Sequence, residues 1–231
     1  MAKKGEIKLL GTPASHFVNR VQIGLNLKCI DYEFISENLG CKSDLLLKSN
    51  PVHQRVPVLL HANEPPLIES LLIIEYIDEI FPDVHPILPR APSVRAHNRT
   101  WAYFIDTQFF PLFEDLRQSP DKKGEEEAKI QIREAAKLLE RVFVECSDGK
   151  AYFGGDNIGY LDIALGCFLG WITFSETLNN YKVFDETISP RLVEWAKKMR
   201  SHEAVKNALP SHDALLKHYS MIQYIKPPRT A

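Results

Sequence analysis

Pro57 stands at the head of the apolar run Val58-Leu59-Leu60, and few positions in the chain restrict the backbone as strongly. A proline has no N–H to give a neighbouring strand, so it marks a strand's first residue or its exposed edge. The bond before it, Val56-Pro57, belongs to the peptide type with ready access to the cis form, which suits a sharp entry. An entry of that kind turns the N–H and C=O of Val56 outward, free to pair with an extended peptide. The surrounding stretch, Val52 to Ser70, reads as a strand, the turn Ala62-Asn63-Glu64-Pro65-Pro66, a second strand and a helix opening at Glu69-Ser70. The first N–H groups of a helix have no partner within it and accept a carboxylate readily. A peptide-like ligand with a carboxylate suits this segment; a plain hairpin followed by a capped helix suits it too.

Upstream, Ile7 and Leu9 alternate with Glu6 and Lys8, so residues 6–10 read as a half-buried strand. Gly11-Thr12-Pro13-Ala14-Ser15 is loop chemistry, and Phe17, Val21, Leu25 and Leu27 then space a helix that ends near Lys28. Tyr32 to Ile35 is a second short strand, parallel to the first through that crossover helix, and Leu45 to Leu47 form a short helix or turn. The order over residues 1–82 is β-α-β-α-β-β-α with a proline at the head of the third strand, an α/β domain of thioredoxin-like arrangement. Pro82, Pro86, Pro89 and Pro92 make 83–92 a linker. Residues 93–231 carry helical spacing alone, at Ser93–Leu116, Gly124–Val144, Gly159–Leu178, Pro190–Met199 and Ala204–Leu209, which predicts an all-α second domain. The run after Gly159 is apolar nearly all round and should be the buried spine of that domain, with Asp162 capping its start. The polar tail, Tyr219 to Tyr224 with Lys226-Pro227-Pro228-Arg229, is expected on the surface.

The 231 residues carry a net charge of -2, which gives no electrostatic reason to expect nucleic acid or an anionic membrane as partner. The start MAKKGEIKLLG lacks the apolar core of a signal peptide, and no segment reads as the roughly 18 apolar residues that cross a bilayer. A soluble, cytosolic protein is expected. Cys29, Cys41, Cys146 and Cys167 show no CxxC or Cys/His ligand spacing, so reduced, mostly buried thiols are expected and no metal site.

The segments FVNRVQIGLNLK (17 to 28), LLLKSNPVHQRVPVL (45 to 59), ESLLIIEYIDEIFP (69 to 82) and GYLDIALG (159 to 166) narrow the reading. Over essentially its whole length the chain resembles the tau class of plant glutathione transferases. The resemblance implies glutathione as co-substrate, hydrophobic electrophiles as partners, a homodimer, and a role in detoxification and stress response. Ser15 matches the class's first-loop serine. Its hydroxyl can donate to the cofactor sulfur, and a helix N-terminus behind it adds partial positive charge. A free thiol with a pKa near 8.5 is only a few per cent ionised at pH 7, so a downward shift of about two units captures most of the available thiolate. Without the resemblance, Ser15 reads equally as a helix cap.

The resemblance also assigns a glutathione site. Lys42 and Arg55 suit the glycine-end carboxylate, Val56 the cysteinyl backbone, Ser70 the γ-glutamyl carboxylate and Glu69 its ammonium. Taken singly, Lys42 and Arg55 are ordinary surface charges. Phe17, Phe110, Glu114 and Trp171 fall where the class builds its electrophile pocket, although Phe110 and Trp171 read as well as core packing. Glu114 stands where relatives often carry a base, and is expected to disfavour anionic substrates. The first loop departs from the class in having Pro13 where an aromatic is common and in gaining His16. A Ser15–His16 nucleophile pair is not expected, because adjacent residues at a helix start project apart and no orienting acid is evident. Serine rather than cysteine at 15 argues against glutathione-disulfide exchange. The activity implied is addition of the glutathione thiolate to an electrophile by aromatic substitution or conjugate addition, with peroxide reduction as a further activity. A non-catalytic binder of hydrophobic metabolites and a module for protein contacts are the alternatives.

Overall fold

The structure, a computed structural model, describes residues 7–225. Residue 6 of the first expected strand and the tail segment 226–229 lie outside the described residues. β1 (Ile7–Gly11) is the middle strand of a three-stranded sheet, with β2 (Glu33–Ser36) parallel on one side and β3 (Val58–His61) antiparallel on the other. The parallel pair needs a crossover, and α1 (His16–Leu27) provides it. On one face of the sheet Val18, Val21 and Leu25 of α1 and Ile73 and Ile77 of α3 (Ser70–Ile80) bury Ile7, Leu9 and Leu59. On the other, Leu10 and Val58 meet Leu46 of α2 (Asp44–Ser49). The helices of the first face approach closely at Gly24, where a Cβ would stand 2.4 Å from Ile74 Cδ1.

The return strand expected after the Ala62–Pro66 turn is reduced to a single bridge, in which Leu59 and Leu67 exchange two hydrogen bonds of 2.9 Å. Pro65 and Pro66 bring no N–H to the ladder, so pairing cannot extend back toward the turn. The proline-bearing stretch beyond α3 is tied down. Asp78 accepts from the N–H groups of Ile87 at 2.8 Å and Leu88 at 2.9 Å. The Lys28 ammonium, 2.7 Å from Asp78, also donates to the carbonyls of Phe81 and Val84.

Beyond it come α4 (Pro92–Phe104), α5 (Pro111–Gln118), α6 (Lys122–Ser147), α7 (Tyr160–Gly166) and α8 (Leu169–Asn179). They are followed by α9 (Pro190–Ser201), α10 (Glu203–Lys206) and α11 (His212–Ile225). Three features correct the sequence reading. The helix expected over 93–116 is interrupted by a π turn at Ile105–Phe109, where Phe110 N–H reaches back to Ile105 O at 2.9 Å. Pro111 follows at once and has no N–H with which to extend the ladder.

The helix expected over 159–178 breaks between α7 and α8. Ala164 O, which an unbroken helix would offer to Phe168 N–H, instead accepts from Arg20 Nη2 at 2.9 Å and from the Cys167 thiol at 3.3 Å. Phe168 N–H turns to Leu165 O. The third is α11, a helix the sequence reading did not include; it takes in residues 219–224 of the expected surface tail, where Met221 is exposed, and Ser211 Oγ accepts from Ala214 N–H at its start. Residues 160–179 are together long and apolar enough to cross a membrane by length and composition, contrary to the sequence expectation. Most of that stretch is buried among the other helices.

Asp162 has no exposed surface, and its carboxylate accepts from Phe153 N–H, Gly154 N–H, Gly159 N–H and Trp195 Nε1–H at 2.7–2.9 Å. Burial pushes its pKa up to about 6, and these four donors pull the other way. The side chain therefore fixes the 153–159 loop, the start of α7 and the Trp195 ring at once. Asp162→Asn keeps the shape but turns an NH₂ group against N–H donors. The expected cost is about 3–5 kcal/mol of unfolding free energy in urea titration; a loss under about 1 kcal/mol would show that these bonds do not hold the helical part together.

Candidate active site

β1 ends at Gly11, and the loop that leaves it must turn into α1 within four residues. Ser15 N–H closes that turn on Thr12 O at 3.0 Å. Ser15 is the N-cap of α1: its backbone is extended, and its Oγ accepts from Val18 N–H at 3.4 Å. Accepting one bond leaves the hydroxyl proton free to be donated, because a serine oxygen has one hydrogen and two lone pairs. The cap and the donor roles weighed from the sequence are thus compatible in one side chain. Trp171 Nε1–H donates to Ala14 O at 2.8 Å and so ties α8 to the residue before Ser15.

Ser15 borders a cavity of about 310 Å³ whose walls are mostly apolar, among them Phe110, Phe113, Trp171 and Phe174. Of the residues read as pocket-forming, Phe110, Glu114 and Trp171 line it, and Phe17 does not. Phe17 lines the neighbouring groove instead. Successive side chains of a helix diverge by about 100°, which separates Phe17 from Ser15 and His16. Glu114 is ion-paired with Arg117, whose guanidinium lines the same cavity 2.5 Å away. The acidic edge expected from Glu114 alone is therefore balanced by a cation three residues on. His218 and Tyr219 of α11 also line the cavity and were missed along with their helix.

The groove, of about 590 Å³, brings together Arg55, Val56, Glu69 and Ser70 with Phe17 and Asp106. The Val56–Pro57 peptide is cis. Asn50, almost wholly buried, donates to Arg55 O at 3.0 Å and holds the chain ahead of the proline. Neither the N–H nor the C=O of Val56 has a hydrogen-bond partner among the described residues. Glu69 precedes α3 at φ +68°, a left-handed conformation that a residue with a side chain rarely takes, and its carboxylate makes no cap bond. Ser70 is buried, and its Oγ accepts from Arg20 Nη1 at 2.9 Å. Lys42, in the loop before α2, stands outside the residues that line the groove.

Arg20 has no exposed surface and carries the site's internal charge. Besides Ser70 and Ala164 O, it grips Asp106 of the π turn with two bonds, of 2.9 Å and 2.6 Å. Its guanidinium lies 5.3 Å and 5.4 Å from the ring centroids of Phe17 and Phe168. His16 packs in the same aromatic group. Burial first, then the charges of Arg20 and His218, hold its pKa well below the ordinary 6.5, so it is uncharged at neutral pH. No hydrogen bond joins it to Ser15. Burial pushes the Cys167 thiol up to about 12, which leaves it unreactive. Among the described residues no group of three or more His, Cys, Asp or Glu side chains is placed to hold a metal ion.

A small βαβ-based sheet with a cis-proline at the head of its third strand, joined to helices that wall an apolar cavity, has the two-part architecture of the glutathione transferases. Residues 9–85 match the family model of the glutathione S-transferase N-terminal domain, and residues 100–203 that of the C-terminal domain. The chain is similar to glutathione S-transferase U17 of Arabidopsis thaliana, 49% identical over 209 residues that cover 89% of this chain and 90% of that protein. It is 42% identical to a probable glutathione S-transferase of Oryza sativa over 91% of each chain. The crystal structure of a tau class glutathione S-transferase from mango superposes with a TM-score of 0.90 at 42% identity, covering 94% of this chain and 98% of that one. A rice enzyme solved in complex with glutathione gives 0.84 at 32% identity, over 96% and 100%. The chain belongs to the glutathione S-transferase family, and within it to the tau class.

The buried imidazole has a consequence for stability. An unfolded His16 takes up a proton as the pH falls through about 6.5, whereas the folded residue resists it. Its contribution to stability is therefore complete above that pH and is lost as the solution becomes more acidic. His202 and His218, also lowered by burial, act in the same direction, and Asp162, raised by burial, acts in the opposite one. Comparison with His16→Phe isolates the single group. Between about pH 7.5 and about pH 5.5 the unfolding free energy of the variant should fall less than that of the unmodified chain; equal falls in urea titrations would contradict the buried, neutral ring.

Proposed function

We propose that the groove receives glutathione and the neighbouring cavity a hydrophobic electrophile, with Ser15 between them donating its hydroxyl proton to the cofactor sulfur. The observation that carries this reading is the Ser15 oxygen, fixed by Val18 N–H at the start of α1 on the wall of an apolar cavity. The N–H and C=O of Val56 pair with the cysteinyl backbone, and Ser70, with Glu69 beside it, takes the γ-glutamyl end. Arg55, exposed at the groove, takes the glycine carboxylate; Lys42, outside the groove's lining, is assigned to the same carboxylate by resemblance alone. The division of labour follows a two-domain organisation: residues 1–82 bind glutathione, 83–92 link, and 93–231 supply most of the electrophile cavity. Thiolate stabilisation and positioning provide the rate for aromatic substitution or conjugate addition.

The working form is a cytosolic homodimer. Leu72 and Tyr103 are 61% and 66% exposed at the outer rim of the groove, beside the Arg99–Glu75 ion pair. Large apolar side chains at a polar rim are the composition that a second copy covers. A cytosolic setting keeps the four free cysteines reduced.

Ser15→Ala should lower kcat/KM for conjugation by roughly 10²-fold, the scale of losing one donor to a developing or resident anion. Calorimetry should still register glutathione uptake, and the ultraviolet absorbance of the bound thiolate should fade. Undiminished turnover in that variant rules out the serine's role. Uptake of apolar dyes and glutathione without turnover in the unmodified chain would favour the non-catalytic binder. For the assembly, light scattering should give twice the chain mass for the unmodified protein and the chain mass for the double variant Leu72→Glu, Tyr103→Glu; a monomeric unmodified protein refutes the dimer.

A further inference from the structure

His16 follows Ser15 directly and lines the same cavity. Its ring centroid lies 4.2 Å from those of Phe17 and Phe110 and 4.6 Å from that of Phe168, so the imidazole is clamped rather than free to turn. Nε2 is enclosed and has no hydrogen-bond partner among the described residues; since His16 lines the cavity, Nδ1 is the nitrogen left to reach a ligand there. Buried polar atoms without partners are uncommon and call for a reason. Arg20 supplies one. Its guanidinium packs on Phe17 and Phe168, two of the rings that clamp His16, and its charge acts on the imidazole. An enclosed Nε2 with no acceptor beside it, and with that positive charge acting on the ring, is better left as a lone pair than as an N–H, which assigns the ring proton to Nδ1.

We infer that His16 is a hydrogen-bond donor to the carbonyl oxygen of α,β-unsaturated carbonyl electrophiles, and that it biases this chain toward them over electrophiles that gather no charge on oxygen. The inference rests on the proposed reading of the cavity as the electrophile site. In the step itself the glutathione thiolate forms a C–S bond to the β-carbon, the C=C pair shifts toward the carbonyl, and the oxygen becomes an enolate held by Nδ1–H. The α-carbon then takes a proton from solvent, which had received one when the thiol ionised. The imidazole stays neutral throughout. A preorganised neutral donor stabilises a growing oxyanion without giving up its proton. Two carbons separate the attacked carbon from the carbonyl oxygen, and Ser15 and His16 both line the cavity, so the two ends of a short enal can meet the sulfur side and the imidazole side of one site.

The test compares the unmodified protein with His16→Phe, which keeps an aromatic ring without a donor, and His16→Gln, which keeps a donor without the ring. Each is assayed with glutathione and an alkenal, then with glutathione and benzyl chloride, whose departing charge leaves on chloride. The expected result in His16→Phe is a fall in the alkenal-to-benzyl kcat/KM ratio of roughly tenfold or more, expressed in kcat, with the ratio recovering in His16→Gln. An unchanged ratio in His16→Phe overturns the inference, as does an equal fall in both variants. If the unmodified chain conjugates neither electrophile, the cavity reading itself fails and the inference falls with it.

Discussion

A guanidinium with no contact with solvent holds the two parts of this chain in register. Arg20 leaves α1 and bonds to Ser70 at the start of α3, to Asp106 in the π turn and to Ala164 O in α7. Ser70 belongs to the same part as Arg20, but Asp106 and Ala164 stand 86 and 144 residues away in the helical part, so those bonds form only when both parts are folded against each other. Burying the charge is costly, and even here Nε has no partner. The arrangement persists because every other option strands more: without Arg20, Asp106 would lose its two charge-assisted bonds and Ala164 O would revert to the helix ladder. The π turn, which Pro111 follows, and the break after α7 both present groups to this one side chain.

Buried carboxylates do the complementary work inside the helical part. Asp162 gathers the N–H groups around the start of α7, and Glu140 of α6 accepts from Arg191 and Leu192 N–H at the start of α9. Asp78 of α3, partly exposed, accepts in the same way from the chain at Ile87 and Leu88. Each places a negative group where backbone donors lack partners, and Asp162 and Glu140 do so at helix starts, where the terminus favours anions. α7, only seven residues long and wholly buried, is thereby pinned at one end by Asp162 and at the other by Arg20. A helix of that length has little stability of its own, so its place in the core is set by these two charges and by packing.

What the sequence made legible follows from the range of the interactions concerned. The sheet, α1, α6 and α9 are written in local periodicity, caps and the proline at 190, and their spans are close to expectation. The breaks at 105–109 and 167–168 are not, since one answers to a side chain on α1 and the other needs the fate of a single carbonyl. α11 escaped because its polar, tyrosine-bearing sequence resembles a solvated tail, and the face it buries against Trp171 and Phe174 is defined by those partners. Within the site, the residues around Pro57 and the first-loop serine were legible from turn chemistry and resemblance. The divergence of Phe17 from Ser15 was not drawn, although helical geometry contains it. The Glu114–Arg117 pair was visible in principle as opposite charges three residues apart.

The same charge bears on how a single hydroxyl could suffice for catalysis. Lowering a thiol pKa by about two units needs about 2.7 kcal/mol of preference for the anion. A hydrogen bond to a charged acceptor supplies about 1.5–3 kcal/mol net, and a helix N-terminus about 0.3–1 kcal/mol where exposed. The hydroxyl alone reaches that sum only at the favourable end of its range, and in this site it does not act alone. Ser15 caps α1, so a sulfur resting on it faces that terminus, and one turn further on the same helix carries the buried Arg20. Walls of Phe110, Phe113 and Trp171 keep the local dielectric low, which strengthens both fields. Asp106 of the π turn neutralises part of the guanidinium charge and fixes it in place. On the proposed reading the serine forms no covalent bond to sulfur itself, so its hydroxyl and the field around it, from the helix terminus and the buried cation, are what favour the anion of the cofactor thiol.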